Sequence, residues 1–183
     1  MNPFGPFVLV IGLTAACAAA PAATPTVTAE TPSVIVASPT PSPPAQAPAG
    51  STQESVAEDS AVKVTLLRYR QPFTPTIADL IDRKGYEYGG IEVKLCLTRN
   101  NSSLQLSVSW DPWALSYEDG TVIKTPSSYN LGAWAEPLYP QDHIVRTGRC
   151  VRGWIPFEAP KGKKPELVLY QPGAGTVLEW RIK

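Results

Sequence analysis

The stretch Ile91-Glu92-Val93-Lys94-Leu95-Cys96-Leu97-Thr98 alternates without a break between apolar residues and polar residues or cysteine. Successive side chains of a strand point to opposite faces, so this pattern buries one whole face and leaves the other free. Wound as a helix, the same residues would scatter their apolar groups around the axis. The period recurs over Ala61–Tyr69, Leu104–Trp110, Ala114–Tyr117, Thr121–Lys124, Cys150–Phe157, Glu166–Tyr170 and Val177–Ile182. Gly and Pro punctuate the gaps, and Glu118-Asp119-Gly120 carries a strong hairpin signal. No long stretch repeats with a helical period. The pattern predicts an all-β chain: an antiparallel β-sandwich of about seven or eight strands over residues 61–183.

The first 60 residues are a different material. Phe4 to Ala16 is almost wholly apolar. The run is shorter than the roughly 20 residues a membrane span needs and suits the apolar core of a signal peptide. Small residues follow at once, so residues 1–16 are expected to be a targeting segment. The sequence Leu13-Thr14-Ala15-Ala16-Cys17 resembles a bacterial lipobox. That resemblance implies diacylglyceryl attachment to the Cys17 thiol and cleavage just before it. The protein would then be held at the membrane by a lipid; the alternative is release as an ordinary secreted protein. Residues 17–60 are rich in Pro, Thr, Ala and Ser and contain no aromatic residue. Such a segment buries too little to offset its ordering entropy, which predicts a disordered stalk.

Charge is unevenly placed. All sixteen Lys and Arg lie at or after Lys63, whereas four of the sixteen acids, Glu30, Glu54, Glu58 and Asp59, precede it. The remaining chain carries a mild positive excess with no sequence cluster of the kind a nucleic-acid-binding face shows, and no nucleic-acid partner is expected.

Three cysteines are present. Cys96 falls opposite Ile91, Val93, Leu95 and Leu97; Cys150 falls, with Arg152, opposite Val151, Ile155 and Phe157. Both therefore point away from the expected core. In an exported domain this parity predicts a disulfide between neighbouring strands of one sheet, on its outer face, with free thiols as the alternative. The sheet-spanning bridge of antibody domains would need inward cysteines. Cys17 is left over, and lipidation gives it a role.

Catalysis is not expected. His143 is the only histidine; a Ser-His-Asp relay needs partners, and no Gly-x-Ser-x-Gly elbow occurs. Asp111, Glu118 and Asp119 are carboxylates of the type that serve glycoside hydrolysis, but Asp119 is accounted for by its turn. With Asp142 they also offer oxygen ligands, at spacings unlike an EF-hand. No cofactor and no metal site is expected. The stretch 127–142 lacks strand periodicity and is long for a connection in a compact domain. Its aromatics Tyr129, Trp134 and Tyr139 are the candidate binding loop for an envelope protein or a glycan; the alternative is that they cap the end of the sandwich.

The order of several pieces carries a family likeness: Gly85-Tyr86-Glu87-Tyr88 leading into GIEVKLCLTRNNSS, then VSWDPWALSYEDGTV, then GRCVRGWIPFEAPKGKKPELVLYQP, then VLEW. Over about residues 62–182 this resembles the telokin-like, immunoglobulin-like domain of unknown function found in bacterial lipoproteins and secreted antigens. The resemblance implies a β-sandwich displayed outside the cell and no known reaction. The expected function is a noncatalytic binding or interaction module of the bacterial cell envelope. A structural spacer or accessory domain is the alternative, and a secreted hydrolase a more distant one.

Overall fold

The computed structural model describes residues 46–75, 83–102, 105–126 and 136–183, all within the unit Pro41–Lys183. Eleven strands lie among them: β1 (Gln46–Pro48), β2 (Thr52–Val56), β3 (Ser60–Arg70), β4 (Tyr86–Asn100), β5 (Leu106–Val108), β6 (Trp113–Ser116), β7 (Val122–Lys124), β8 (His143–Val145), β9 (Cys150–Pro160), β10 (Leu167–Tyr170) and β11 (Leu178–Arg181). They form a five-stranded sheet in the order β1-β11-β10-β6-β7, a four-stranded sheet in the order β2-β3-β4-β9, and a two-stranded ribbon β5-β8.

The alternation of the sequence decides which face is buried. Val62, Val64 and Leu66 of β3 share one side of the four-stranded sheet with Ile91, Val93, Leu95 and Leu97 of β4 and Ile155 and Phe157 of β9. Trp113, Leu115, Val168, Leu178 and Trp180 of the five-stranded sheet join the same core. Trp113 sits at its centre, 6.2 Å from the Trp180 ring and 4.9 Å from the Tyr170 ring. Trp110 and Trp180 are 1% and 0% exposed. Their indole N–H groups donate to the carbonyls of Tyr139 and Ser51, which satisfies polar atoms that burial would otherwise leave costly.

Three expectations need correction. Residues 46–60 are not stalk: β1 and β2 lie there. The inward residues of β2 are polar, and β1 offers the core only Ala47, so no apolar alternation marks either strand. Gln53 Nε2 donates to Glu179 O, and Ser55 Oγ donates to Thr176 O. The strand count is eleven among the described residues because several strands, β1, β5, β7 and β8, are only three residues long. The sandwich is also not wholly antiparallel: β1 runs parallel to β11, with Gln46 opposite Glu179 and Pro48 opposite Arg181. As an edge strand β1 tolerates Pro48, which has no N–H to give a ladder.

Cys96 and Cys150 are directly opposed in β4 and β9 and form a disulfide, with Cα atoms 4.0 Å apart. Next to them, Leu97 N donates to Arg149 O. The cysteines therefore occupy the adjacent non-hydrogen-bonded pair, where opposed side chains come closest. The bridge lies within one sheet, on its outer face.

Candidate functional site

The outer face of the four-stranded sheet is built by register. Lys63 pairs with Cys96, Thr65 with Lys94, Arg68 with Glu92 and Arg70 with Gly90; Lys94 in turn pairs with Arg152, and Glu92 with Trp154. Four successive outward rows each carry at least one cation. Regular alternation from Leu66 would turn Arg68 and Arg70 into the core. A bulge between Leu66 and Arg68 takes up Leu67 as an extra residue, reverses the phase, and sends both arginines out and Tyr69 in. Re-aiming side chains in this way is a common use of bulges.

Glu92 organises these cations. Its side chain is 5% exposed, against 59% for Arg68 and for Arg152. Arg68 donates from Nε to Oε2 at 2.7 Å, and Arg152 donates from Nε to Oε1 at 2.8 Å. A second nitrogen of each guanidinium lies 2.6 Å from the same oxygen. Burial pushes the Glu92 carboxyl pKa up, but the hydrogen bonds and charges of the two arginines outweigh it, and the net shift is downward. Glu92 is thus ionised, and the trio keeps one positive charge in excess.

Beneath the arginines lies a small aromatic base. Trp154 and Phe73, each 1% exposed, stack with centroids 4.8 Å apart. The Arg70 guanidinium lies 4.6 Å from the Trp154 ring centroid and the Arg68 guanidinium 5.5 Å from it, a cation–π arrangement. Gly90 makes this possible: a Cβ there would stand 2.7 Å from the Phe73 ring. Arg70 also pairs with Glu136 at 2.7 Å. Beside Glu136 the chain runs along β9, Tyr139 N donating to Trp154 O and Trp154 N to Pro137 O.

A second concavity, about 630 Å³, opens at one end of the sandwich between Ala49, Tyr69, Gln71, Glu87, Lys163 and Ile182. β1 and β11 both run towards this cleft, and Ala49 and Ile182, just after their ends, line it. Tyr69 OH donates to Gln71 Oε1, and Gln71 Nε2 donates to Glu87 Oε1 at 2.8 Å. Burial raises the Tyr69 pKa, so the phenol keeps its proton. The polar groups at the base of the cleft are therefore engaged with one another.

Of the residues singled out from sequence, Cys17, Tyr129 and Trp134 lie outside the described residues. Tyr139 does not belong to an exposed surface. It is 1% exposed, its ring 6.4 Å from that of Trp113, because pairing of the 137–139 backbone to Trp154 turns it inward. His143, Asp111, Glu118 and Asp142 are exposed. Asp119 accepts from Thr121 and Lys163, and these bonds, the Thr121 ones first, hold its pKa at about 2. Among the described residues, no three His, Cys, Asp or Glu side chains are grouped to hold a metal ion. Sequence reasoning missed the arginine face, since the bulge that creates it leaves no mark in the alternation.

No family model matches the chain, and no curated protein matches it. Solved structures do. A secreted protein of Mycobacterium tuberculosis, MPT63, is 12% identical with a TM-score of 0.55, the match covering 78% of this chain and 100% of that one. The chain has an immunoglobulin-like β-sandwich fold. An uncharacterized β-sandwich protein from Clostridium difficile 630 is 9% identical with a TM-score of 0.44, covering 80% of this chain and 100% of that one. At such identities the likeness concerns fold alone.

Proposed function

We propose that this protein is an exported, lipid-anchored, noncatalytic module that binds a component of the bacterial cell envelope, as the telokin-like resemblance implies. The observation that carries the reading is the Cys96–Cys150 disulfide. Such bridges persist in oxidising compartments, outside the cytoplasm. The bridge also consumes two of the three cysteines and leaves Cys17, at the end of the apolar leader, as the thiol for a diacylglyceryl group. A single acyl chain binds a membrane only reversibly, and two or more hold it firmly. Residues 17–45 are then the stalk. The binding loop reduces to Tyr129 and Trp134, which precede the Arg70-paired Glu136 in the chain.

Fractionation tests this reading. The parent protein should sediment with membranes and Cys17→Ser should not. Solubilised parent protein should be retained on envelope material, and Trp134→Ala should weaken that retention while folding normally. A parent protein found in the cytoplasm, or retained by nothing, contradicts the reading.

The burial of Tyr139 favours one second reading, a spacer without a ligand. It predicts that Trp134→Ala changes stability alone.

A further inference from the structure

We propose that the outer face of the four-stranded sheet binds an extended acidic polysaccharide, its carboxylates lying along the cation rows from Lys63 to Arg70. The inference rests on the binding-module reading and names the partner's chemistry. Five cations, Lys63, Arg68, Arg70, Lys94 and Arg152, are exposed on this face. Four acids accompany them: Glu54, Glu136, the buried Glu92 and, one row beyond Arg70, Glu158. The surplus is positive, and it is strung out rather than focused. Outward rows recur about every 7 Å along a strand, so the four rows extend over roughly 20 Å. That geometry suits a polymer with spaced single charges better than a compact anion.

The chemistry of the face narrows the partner. Each of Arg68 and Arg152 gives Glu92 its Nε and one terminal nitrogen, and each side chain stays 59% exposed. Guanidinium groups fixed in this way match carboxylates in geometry as well as charge. The aromatic base is covered: Trp154 and Phe73 offer no ring to insert between lipids or to stack on a nucleobase. Of the large exposed apolar side chains among the described residues, only Val56, at the end of edge strand β2, adjoins this face. Attraction here is therefore ionic, which disfavours a lipid surface and favours a hydrated acidic chain.

The test uses the exported protein and polygalacturonate as the probe, with uncharged dextran and phosphatidylglycerol vesicles beside it. Polygalacturonate should bind at low ionic strength and weaken steeply with salt; dextran should not bind. Replacing both Arg68 and Arg152 by Ala should weaken binding at least about tenfold. Because that change also strips Glu92 of its partners, Lys63→Ala with Lys94→Ala provides the folding-safe version and should weaken binding about threefold to tenfold. Lys161→Ala with Lys164→Ala removes the same charge from the end of the sandwich and should leave binding within about twofold. Equal losses from the two lysine pairs, binding of vesicles in preference to polygalacturonate, or no binding to polygalacturonate would each overturn the proposal. If the parent is retained on envelope material and yet ignores polygalacturonate, the partner's chemistry is wrong and the wider reading stands.

Discussion

Arg68 and Glu92 meet across β3 and β4 because one extra residue, Leu67, breaks the alternation between them. The bulge turns an arginine that would have faced the core into one that covers a buried carboxylate. Arg152 completes the arrangement from β9, and the outer face gains its positive surplus from the pair.

This relationship has a pH signature. The folded-state pKa of Glu92 is depressed, so its contribution to stability is complete above the ordinary glutamate range and is lost as pH falls through the folded value. Glu92→Gln should lower unfolding free energy by about 1–3 kcal/mol at neutral pH. It should also flatten the acid limb, so the deficit against the parent shrinks as the solution is acidified. Urea midpoints across that range measure both effects.

Tyr139 separates a core role from a binding role. Its ring packs against Trp113, while its hydroxyl is buried with no hydrogen-bond partner among the described residues. Tyr139→Phe should therefore leave stability within about 1 kcal/mol or raise it, and Tyr139→Ala should cost about 3–5 kcal/mol. Neither should alter ligand retention in the folded protein. Denaturant titration with a retention assay on the same samples gives the answer.

Gly153 is fixed by a backbone crossing. A Cβ there would lie 2.3 Å from Tyr139 N and 2.4 Å from the Leu138 carbonyl carbon. Gly153→Ala has to push the 137–139 segment off β9, and a loss of about 2–4 kcal/mol is expected. An alanine variant with an unchanged thermal midpoint would show that the segment is not held there.

The disulfide closes a long stretch, 54 residues apart in sequence. Cys96→Ser with Cys150→Ser should destabilise the domain by about 2–4 kcal/mol. The bridge lies one row beyond Lys94 and Arg152, so acidic-polymer binding should survive in the folded variant. Chemical denaturation with and without reductant, compared with the double variant, tests this.

Much of this structure can be read from alternation because one face of each long strand is uniformly apolar. Ile91 to Leu97 gives the face of β4, and the parity of Cys96 and Cys150 gives a bridge within one sheet. The reading fails where strands bury polar groups or change phase. Gln53 and Ser55 face inward and satisfy backbone carbonyls, so β2 resembles the proline-rich segment before it. Leu67 looks like one more strand residue, and nothing local announces that it is skipped. Tyr139 looks like a loop aromatic because its burial depends on a crossing permitted by the remote Gly153. The arginine face falls in the same class: its members, Arg68, Arg70, Lys94 and Arg152, come from three strands and gather only through pairing.

The central claim is that this sandwich works outside the cytoplasm while tethered through Cys17. The intact mass of the protein recovered from the membranes of a bacterial host tests it most directly. The account predicts a chain beginning at Cys17, carrying a diacylglyceryl group and an oxidised Cys96–Cys150 pair. An unmodified chain beginning beyond Cys17 and found in the medium, or one retaining residues 1–16 in the cytoplasm, would contradict it.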